Sequence, residues 1–387
     1  MNAPRSLMLT RTVLAVVLLA VLRLGAAETS PAAPATPAAP ATPAVPGIDP
    51  VATQVWQEHI QGMGDRGEGA RNVNFAQISG KALEFFERFP NERRVGGILF
   101  NLSSFGDWVK GDQAEVIRAE WRQHLRTVLI DTLAGKSWPD NVWAGLHWVA
   151  AKNELAIQMA AAGRPDLKVL RDRIAIVAQR APAAPYRTFL EQEYVRGLEK
   201  YDPSGLEPYL THLSGSEIPD LAALGRGQLA IHALRRTPME LTFTALDGRT
   251  VDLAALRGQV VLIDCWATWC VPCVKELPTI KAALAKWGEK GFTVVGISFD
   301  RVGDKEKLQK FVADEKLVWP HWFNESGGPN PFGKTYNIRS IPATFLLDRT
   351  GRLVTTETHG EKLDVALTRL LSDPDGASPA RSTSDDE

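Results

Sequence analysis

The spacing of the apolar residues changes once along this chain, near Met239. Before that point, apolar side chains recur every three or four residues, as they do on the buried face of an α-helix. After it, apolar and polar residues alternate, beginning with Leu241 and Phe243, which is typical of a β-strand with one buried face. We therefore expect an all-helical domain over residues 50–234, followed by a separate α/β domain over residues 237–372.

Proline and glycine divide the helical part into segments, as at Gly163-Arg164-Pro165 and Asp202-Pro203. Besides two amphipathic runs, one that ends at Pro90 and one from Ala114 to Val128, the spacing predicts helices at about 140 to 162, 166 to 179, 184 to 199, 204 to 213 and 218 to 233. Stacked helical hairpins would satisfy this pattern, although no repeat of fixed length is visible. This domain has no cluster with metal-ligand spacing, and its sequence does not indicate a function.

The N-terminus has the three parts of a secretory signal. Arg5 and Arg11 precede an apolar run over 12–22, and Gly25-Ala26-Ala27 supplies small residues for cleavage. The alternative is an uncleaved membrane anchor, but a helix over this run would rise only about 16 Å against a hydrocarbon core of roughly 30 Å. We therefore predict a signal peptide at 1–27, no membrane insertion after its removal, and export to a bacterial periplasm.

Composition limits the two flanking segments and the partners. Residues 28–49 are rich in Pro, Ala and Thr, which predicts an extended linker, and residues 373–387 are rich in Ser and Asp, which predicts a disordered tail. Lys plus Arg total 44 and Asp plus Glu total 45. No net positive field is available for polyanions, so nucleic acid is not an expected partner.

The cysteines indicate the chemistry. The 387 residues contain three, and two of them, Cys270 and Cys273, stand three positions apart. The apolar run 260–263, typical of a buried strand, leads into this pair, and a helical pattern follows it. Cys270 should thus lie at a helix N-terminus, where free N–H groups and the helix dipole stabilise a thiolate nucleophile. Cys273, one turn further, could then attack a mixed disulfide on Cys270.

Other roles for a CxxC pair have less support. Half of a zinc site would need further ligands, and the third cysteine, Cys265, lies on the preceding strand. Covalent haem attachment needs His at position 274, which is Val. We therefore expect no metal and no cofactor. Alternation places Cys265 on the opposite strand face from Asp264, which favours a buried, inert thiol.

Two longer segments resemble a known family. The segment 264–273, Asp-Cys-Trp-Ala-Thr-Trp-Cys-Val-Pro-Cys, resembles the thioredoxin active-site strand and turn, and its continuation to Pro278 resembles the TlpA/ResA branch of exported thioredoxin-like proteins. The segment 336–351, with Ile341-Pro342 at its centre, resembles the second signature of that branch. The resemblance spans about 237 to 372 and implies a thioredoxin-like α/β fold, with a central mixed sheet flanked by helices.

The resemblance also implies roles for individual residues. It implies a cis Ile341–Pro342 peptide bond facing the cysteines, and substrate binding by Trp269, Ile341 and Pro342. Asp264 matches the buried acid of thioredoxins, which accepts the Cys273 proton; many TlpA-like chains have a neutral residue there. Glu276 matches the acid of the branch near the active site, although its position also suits an ordinary exposed helix residue.

The expected function is thiol-disulfide exchange with protein substrates outside the cytoplasm. The resemblance favours reduction, with electrons from a membrane-bound donor. An alternative is a scaffold, in which the helical domain captures a partner and the thioredoxin fold serves for docking. A peroxidase of the peroxiredoxin type is disfavoured, because both cysteines of the pair lie in one turn.

Overall fold

The computed structural model describes residues 49–64 and 73–372. The predicted signal peptide, the predicted linker before Asp49 and the predicted tail lie outside these residues. None of the helices within the two described ranges is both long enough and apolar enough to cross a membrane.

The first part of the described chain is entirely helical, as the sequence predicts. Its helices are α1 (Pro50–Gly62), α2 (Phe75–Arg88), α3 (Val95–Trp108), α4 (Ala114–Gly135), α5 (Asp140–Ala162), α6 (Lys168–Arg180), α7 (Pro185–Tyr201), α8 (Pro203–Ser214) and α9 (Pro219–Ala233). Helix α5 is central, packing against α3, α4, α6 and α7. It begins after Pro139 and ends at Gly163, whose φ of 67° is the left-handed conformation that glycine adopts readily.

The second part of the described chain combines strands and helices and contains a mixed sheet. Its elements are β1 (Thr242–Thr244), β2 (Thr250–Asp252), β3 (Val260–Trp266), α10 (Val271–Trp287), β4 (Phe292–Ser298), α11 (Lys305–Asp314), β5 (His321–Trp322), α12 (Pro331–Thr335), β6 (Ala343–Leu347), β7 (Leu353–Thr355) and α13 (Glu361–Leu371). Five described strands pair in the order β5-β4-β3-β6-β7. Strands β3, β4 and β5 are parallel, whereas β6 is antiparallel to β3 and to β7. This is the predicted thioredoxin-like sheet.

Strand β3 lies at the centre of this sheet and is buried on both faces. Val260, Leu262 and Trp266 point into a core shared with α10, α11 and α13, which also contains both cysteines of the CxxC pair. The intervening residues, among them Ile263 and Cys265, point into a second core on the other face, beneath the β1–β2 hairpin. The central strand therefore delivers the chain to the cysteines from within a packed interior.

The helical part has its own apolar cores but touches the α/β part. The Leu353 amide donates a hydrogen bond of 2.8 Å to the Leu234 carbonyl, and Arg339 forms an ion pair of 3.2 Å with Asp220. Helix α9 comes so close to the turn after α12 that a Cβ at Gly227 would lie 2.5 Å from the Asn337 Cβ. Only glycine fits at this contact.

Candidate active site

Cys270 and Cys273 lie at the N-terminus of α10 and are joined by a disulfide, with their Cα atoms 5.2 Å apart. Cys270 is the N-cap residue, and its Sγ accepts a hydrogen bond of 3.2 Å from the Cys273 amide. That amide is one of the donors that a helix start leaves without an internal partner. In the reduced protein the same donor would face a Cys270 thiolate, so the local geometry favours Cys270 as the nucleophile.

The Ile341–Pro342 bond is cis, as the resemblance implies, and the Ile341 carbonyl oxygen lies 3.7 Å from the Cys270 Sγ. Strand pairing creates this approach, because Ala343 at the start of β6 is opposite Cys265 near the end of β3. Ile341 and Pro342 are half-buried, and Trp269 is 54% exposed beside the cysteines. The three residues predicted to bind substrate therefore lie on the elements that surround the disulfide.

Asp264 is a buried carboxyl on β3, on the same face as Trp266 and opposite to Cys265. Burial, together with the negative charge of Glu276, raises the pKa of Asp264 to about 7. Near neutral pH this group therefore exchanges between its acidic and basic forms, as a proton acceptor in a catalytic step requires. On the other face, burial and the Asp264 charge raise the pKa of the Cys265 thiol well above its ordinary value, which favours the protonated thiol, a poor nucleophile.

Glu276 is half-buried on α10 rather than fully exposed. Its Oε2 accepts a hydrogen bond of 3.2 Å from the Gly360 amide, at the start of α13. Glu276 thus has two effects in the structure: it connects α10 to α13, and its charge acts on Asp264.

Sequence reasoning did not identify Thr344, a buried residue opposite Asp264 on β6. Its Oγ1 donates a hydrogen bond of 3.3 Å to the Thr356 carbonyl and accepts one of 2.6 Å from the Thr358 hydroxyl. This buried hydroxyl pair holds β6, the strand that begins directly after the cis peptide bond.

Sequence reasoning also missed Asp300, which follows β4. Its buried carboxylate accepts hydrogen bonds from the Thr268 hydroxyl at 2.6 Å and from the Thr268 amide at 3.1 Å, and a third from the Ser298 hydroxyl at 2.9 Å. Thr268 lies in the turn that leads to Cys270. A sequence signal existed, because Asp300 is a polar residue shortly after an apolar run that predicts a buried strand. The ends of neighbouring parallel strands lie at the same edge of a sheet, here the edge at which β3 ends.

We expect Thr268→Val to lower the free energy of unfolding by about 1–3 kcal/mol, because it leaves the buried Asp300 carboxylate without its shortest hydrogen bond. Thr268→Ser keeps the hydroxyl and should cost less than about 1 kcal/mol. Urea unfolding of the two oxidised variants measures the difference. Equal stability of the Val and Ser variants would show that the Thr268 hydroxyl does not hold the turn.

Comparisons with known proteins match the part of the chain that contains the cysteine pair. Residues 236–356 match the model of the AhpC/TSA family. The thiol-disulfide oxidoreductase ResA of Bacillus thuringiensis subsp. konkukian is 30% identical over 128 residues, which are 33% of this chain and 70% of that protein. The thioredoxin-like protein YneN of Bacillus subtilis is 30% identical over 113 residues, 29% of this chain and 64% of that protein.

Among solved structures, the thioredoxin domain of a thiol-disulfide oxidoreductase from Bacteroides vulgatus is 28% identical, with a TM-score of 0.32, and the match covers 34% of this chain and 94% of that one. The helical part of the chain lies outside the segment that the family model matches. This chain is 30% identical to ResA over 70% of that protein, and its cysteine pair follows the end of the central strand. The C-terminal part of the chain and ResA therefore belong to one family. The chain belongs to the thioredoxin-like thiol-disulfide oxidoreductases of the TlpA/ResA branch.

Proposed function

We propose that Cys270 and Cys273 are the redox couple of this oxidoreductase and that it reduces disulfides in protein substrates outside the cytoplasm. The observation that carries the proposal is the position of the Cys270–Cys273 disulfide, which lies at a helix N-terminus with Cys270 next to the Ile341 carbonyl. This arrangement supports a nucleophilic thiolate beside a backbone acceptor that an incoming chain could use.

The proposed reaction has two exchange steps. The Cys270 thiolate attacks a sulfur of the substrate disulfide, so that a Cys270–substrate disulfide forms and one substrate thiolate leaves and takes up a proton. Cys273 then loses its proton, for which the Asp264 carboxylate is the proposed acceptor, and its sulfur attacks the Cys270 Sγ. The Cys270–Cys273 disulfide forms and the second substrate thiolate leaves. Two electrons have passed from the dithiol to the substrate.

A further reductant must then regenerate the dithiol, and a membrane-bound dithiol donor is the proposed source. Export is supported by the sequence at 1–27, with its basic start, apolar run and small residues. The proposed compartment is the periplasm of a bacterium, where a soluble dithiol protein needs electrons delivered across the membrane.

The proposed domain division is supported by the apolar cores. The buried residues of two cores all lie within 50–234. Those of the two cores on either side of the sheet lie within 237–372, except Leu234. We propose that the two parts are separate domains in contact, and that the redox step belongs to the second.

The test is the reduction of insulin by dithiothreitol, followed as turbidity, with the full exported chain. We expect wild type to accelerate the reaction by about tenfold or more, and Cys270→Ser to give only the uncatalysed rate. Cys265→Ser is the matched control and should behave as wild type, because Cys265 lies in the core on the other sheet face. If wild type gave no acceleration and its thiols showed no redox couple, the scaffold alternative would replace this proposal.

A further inference from the structure

A groove leads away from the active-site disulfide along the carboxyl end of β4. Its first part is a cavity of about 350 Å³ lined by Trp269, Phe299, Arg301, Asp304 and Lys307, which we call the Trp269 cavity. It shares Phe299 and Arg301 with a second cavity of about 530 Å³, whose far end is formed by glycine and asparagine residues over 324–330. The two cavities therefore adjoin one another, beginning at the residue that precedes Cys270.

The wall nearest the cysteines is aromatic. Trp269 precedes Cys270 in the chain and is 54% exposed, and the half-buried Phe299 lines the same cavity. A large exposed aromatic side chain beside a reactive sulfur is surface that a bound substrate would remove from water.

The outer wall carries positive charge. Arg301 and Lys307 are both exposed, and neither forms an ion pair within the part of the chain that the structure describes. Two neighbouring lysines of the same segment do form ion pairs, Lys305 with Glu325 and Lys310 with Asp314. Among the Lys and Arg residues of the segment 301–310, the two without a carboxylate partner are thus those that line the Trp269 cavity.

The acid in the lining offsets only part of this positive charge. Asp304 lines the cavity at the N-terminus of α11, where the helix dipole already favours a negative charge. Asp300 is buried and does not line this cavity, and its carboxylate accepts hydrogen bonds from Thr268 and Ser298. With two cations and one acid, the lining of the Trp269 cavity has a net charge of +1.

We propose that the Trp269 cavity is a subsite for an acidic side chain of the substrate, an Asp or Glu close to the cysteine that reacts with Cys270. This inference rests on the proposed function and specifies its substrate class. The aromatic wall would pack against the stem of the acidic residue, while the guanidinium of Arg301 and the ammonium of Lys307 bind its carboxylate. The occupant belongs to the substrate chain itself, because the cavity begins at the residue beside Cys270.

The experiment compares three disulfide-linked peptides that differ only in the residues flanking their cysteines, which are Glu, Gln or Lys. The measured quantity is kcat/KM for their reduction by the full chain at low ionic strength, with dithiothreitol present to regenerate the dithiol and its uncatalysed rate subtracted. We expect wild type to prefer the Glu peptide over the Lys peptide by about three- to tenfold, with Gln between them, since each exposed ion pair contributes modestly. The preference should shrink as salt is added.

Variants that remove or reverse the charges of Arg301 and Lys307 test whether the preference comes from the Trp269 cavity. In Arg301→Gln/Lys307→Gln the ratio between Glu and Lys peptides should fall to about one, and in Arg301→Glu/Lys307→Glu it should reverse. Arg369→Gln, which removes an exposed cation from α13, is the matched control and should keep the wild-type ratio.

Three results would overturn the proposal. Equal reduction of all three peptides by wild type would leave thiol-disulfide exchange intact but remove the acidic subsite. A Glu preference that survives in both double variants would place the selectivity elsewhere. If no peptide and no insulin were reduced, the proposed function would fail, and the subsite with it.

Discussion

Cys273→Ser is expected to stop turnover and to leave Cys270 trapped in a mixed disulfide with its substrate. Cys270 keeps its position at the N-cap of α10, so the first attack should proceed. The second attack is lost, because the variant has a hydroxyl in place of the resolving sulfur. Intramolecular attack by a well-placed group corresponds to effective molarities of about 10⁵ M or more, so a thiol in solution replaces it poorly. Multiple-turnover reduction should therefore fall by at least about 10³-fold.

The measurement is mass spectrometry of the Cys273→Ser protein after incubation with a disulfide peptide, without reductant. One peptide per protein should be attached, through Cys270, and dithiothreitol should release it. Cys270→Ser/Cys273→Ser is the control and should carry no peptide, because the only cysteine left is the buried Cys265. Attachment to that control, or its absence from Cys273→Ser, would contradict the assigned order of attack.

We expect wild type to lose stability as the pH rises from about 4 to about 7, and we expect Asp264→Asn not to show this loss. The pKa of Asp264 is about 7 in the folded protein, above its ordinary value of 3.8. Between these values the folded protein holds a proton that the unfolded chain releases. A rise in pH therefore favours unfolding, and the stability that comes from the protonated acid is complete below about 4 and lost through about 7.

The size of this effect follows from the shift in pKa. A rise in pKa from 3.8 to about 7 corresponds to at most about 4 kcal/mol, and we expect about 2–4 kcal/mol of difference between wild type and Asp264→Asn to develop across this range. Urea unfolding at pH 4 and pH 8, with the disulfide oxidised in both proteins, measures it. Glu276→Gln is the companion variant: it removes the charge that helps to raise the pKa of Asp264, so its pH-dependent loss should be smaller than that of wild type.

The same substitution tests the proposed proton acceptor. Asp264→Asn should slow the release of substrate from the mixed disulfide by about 10²-fold near pH 7, whereas formation of that disulfide by Cys270 should change less. Stopped-flow measurement of the two steps separates these effects. Suppose that the stability of Asp264→Asn lost its pH dependence but its release rate equalled that of wild type. Asp264 would then be buried without acting on Cys273.

Local sequence determined the elements that carry the chemistry. The apolar run before the cysteines became the central strand β3, and the amphipathic pattern after them became α10, since both patterns have the period of the structure they form. Helix α5 has the predicted bounds, because Pro139 and Gly163 are strong local signals. The spacing does not delimit helix α3, because Gly96 and Gly97 weaken its helical propensity; it forms because Ile98, Leu99 and Phe105 are buried.

What the tertiary structure alone decided is which distant residues meet at the cysteines. Asp300 lies 32 residues after Thr268 and bonds to it because parallel strands β3 and β4 end at the same edge of the sheet. The same edge brings Arg301 and Lys307 beside Trp269, and nothing in their spacing along the chain predicts this. The contact between the two parts, where Gly227 meets Asn337, is also a tertiary result. Periodicity specifies which face of an element is buried, but not against what; that choice is made when the whole core packs.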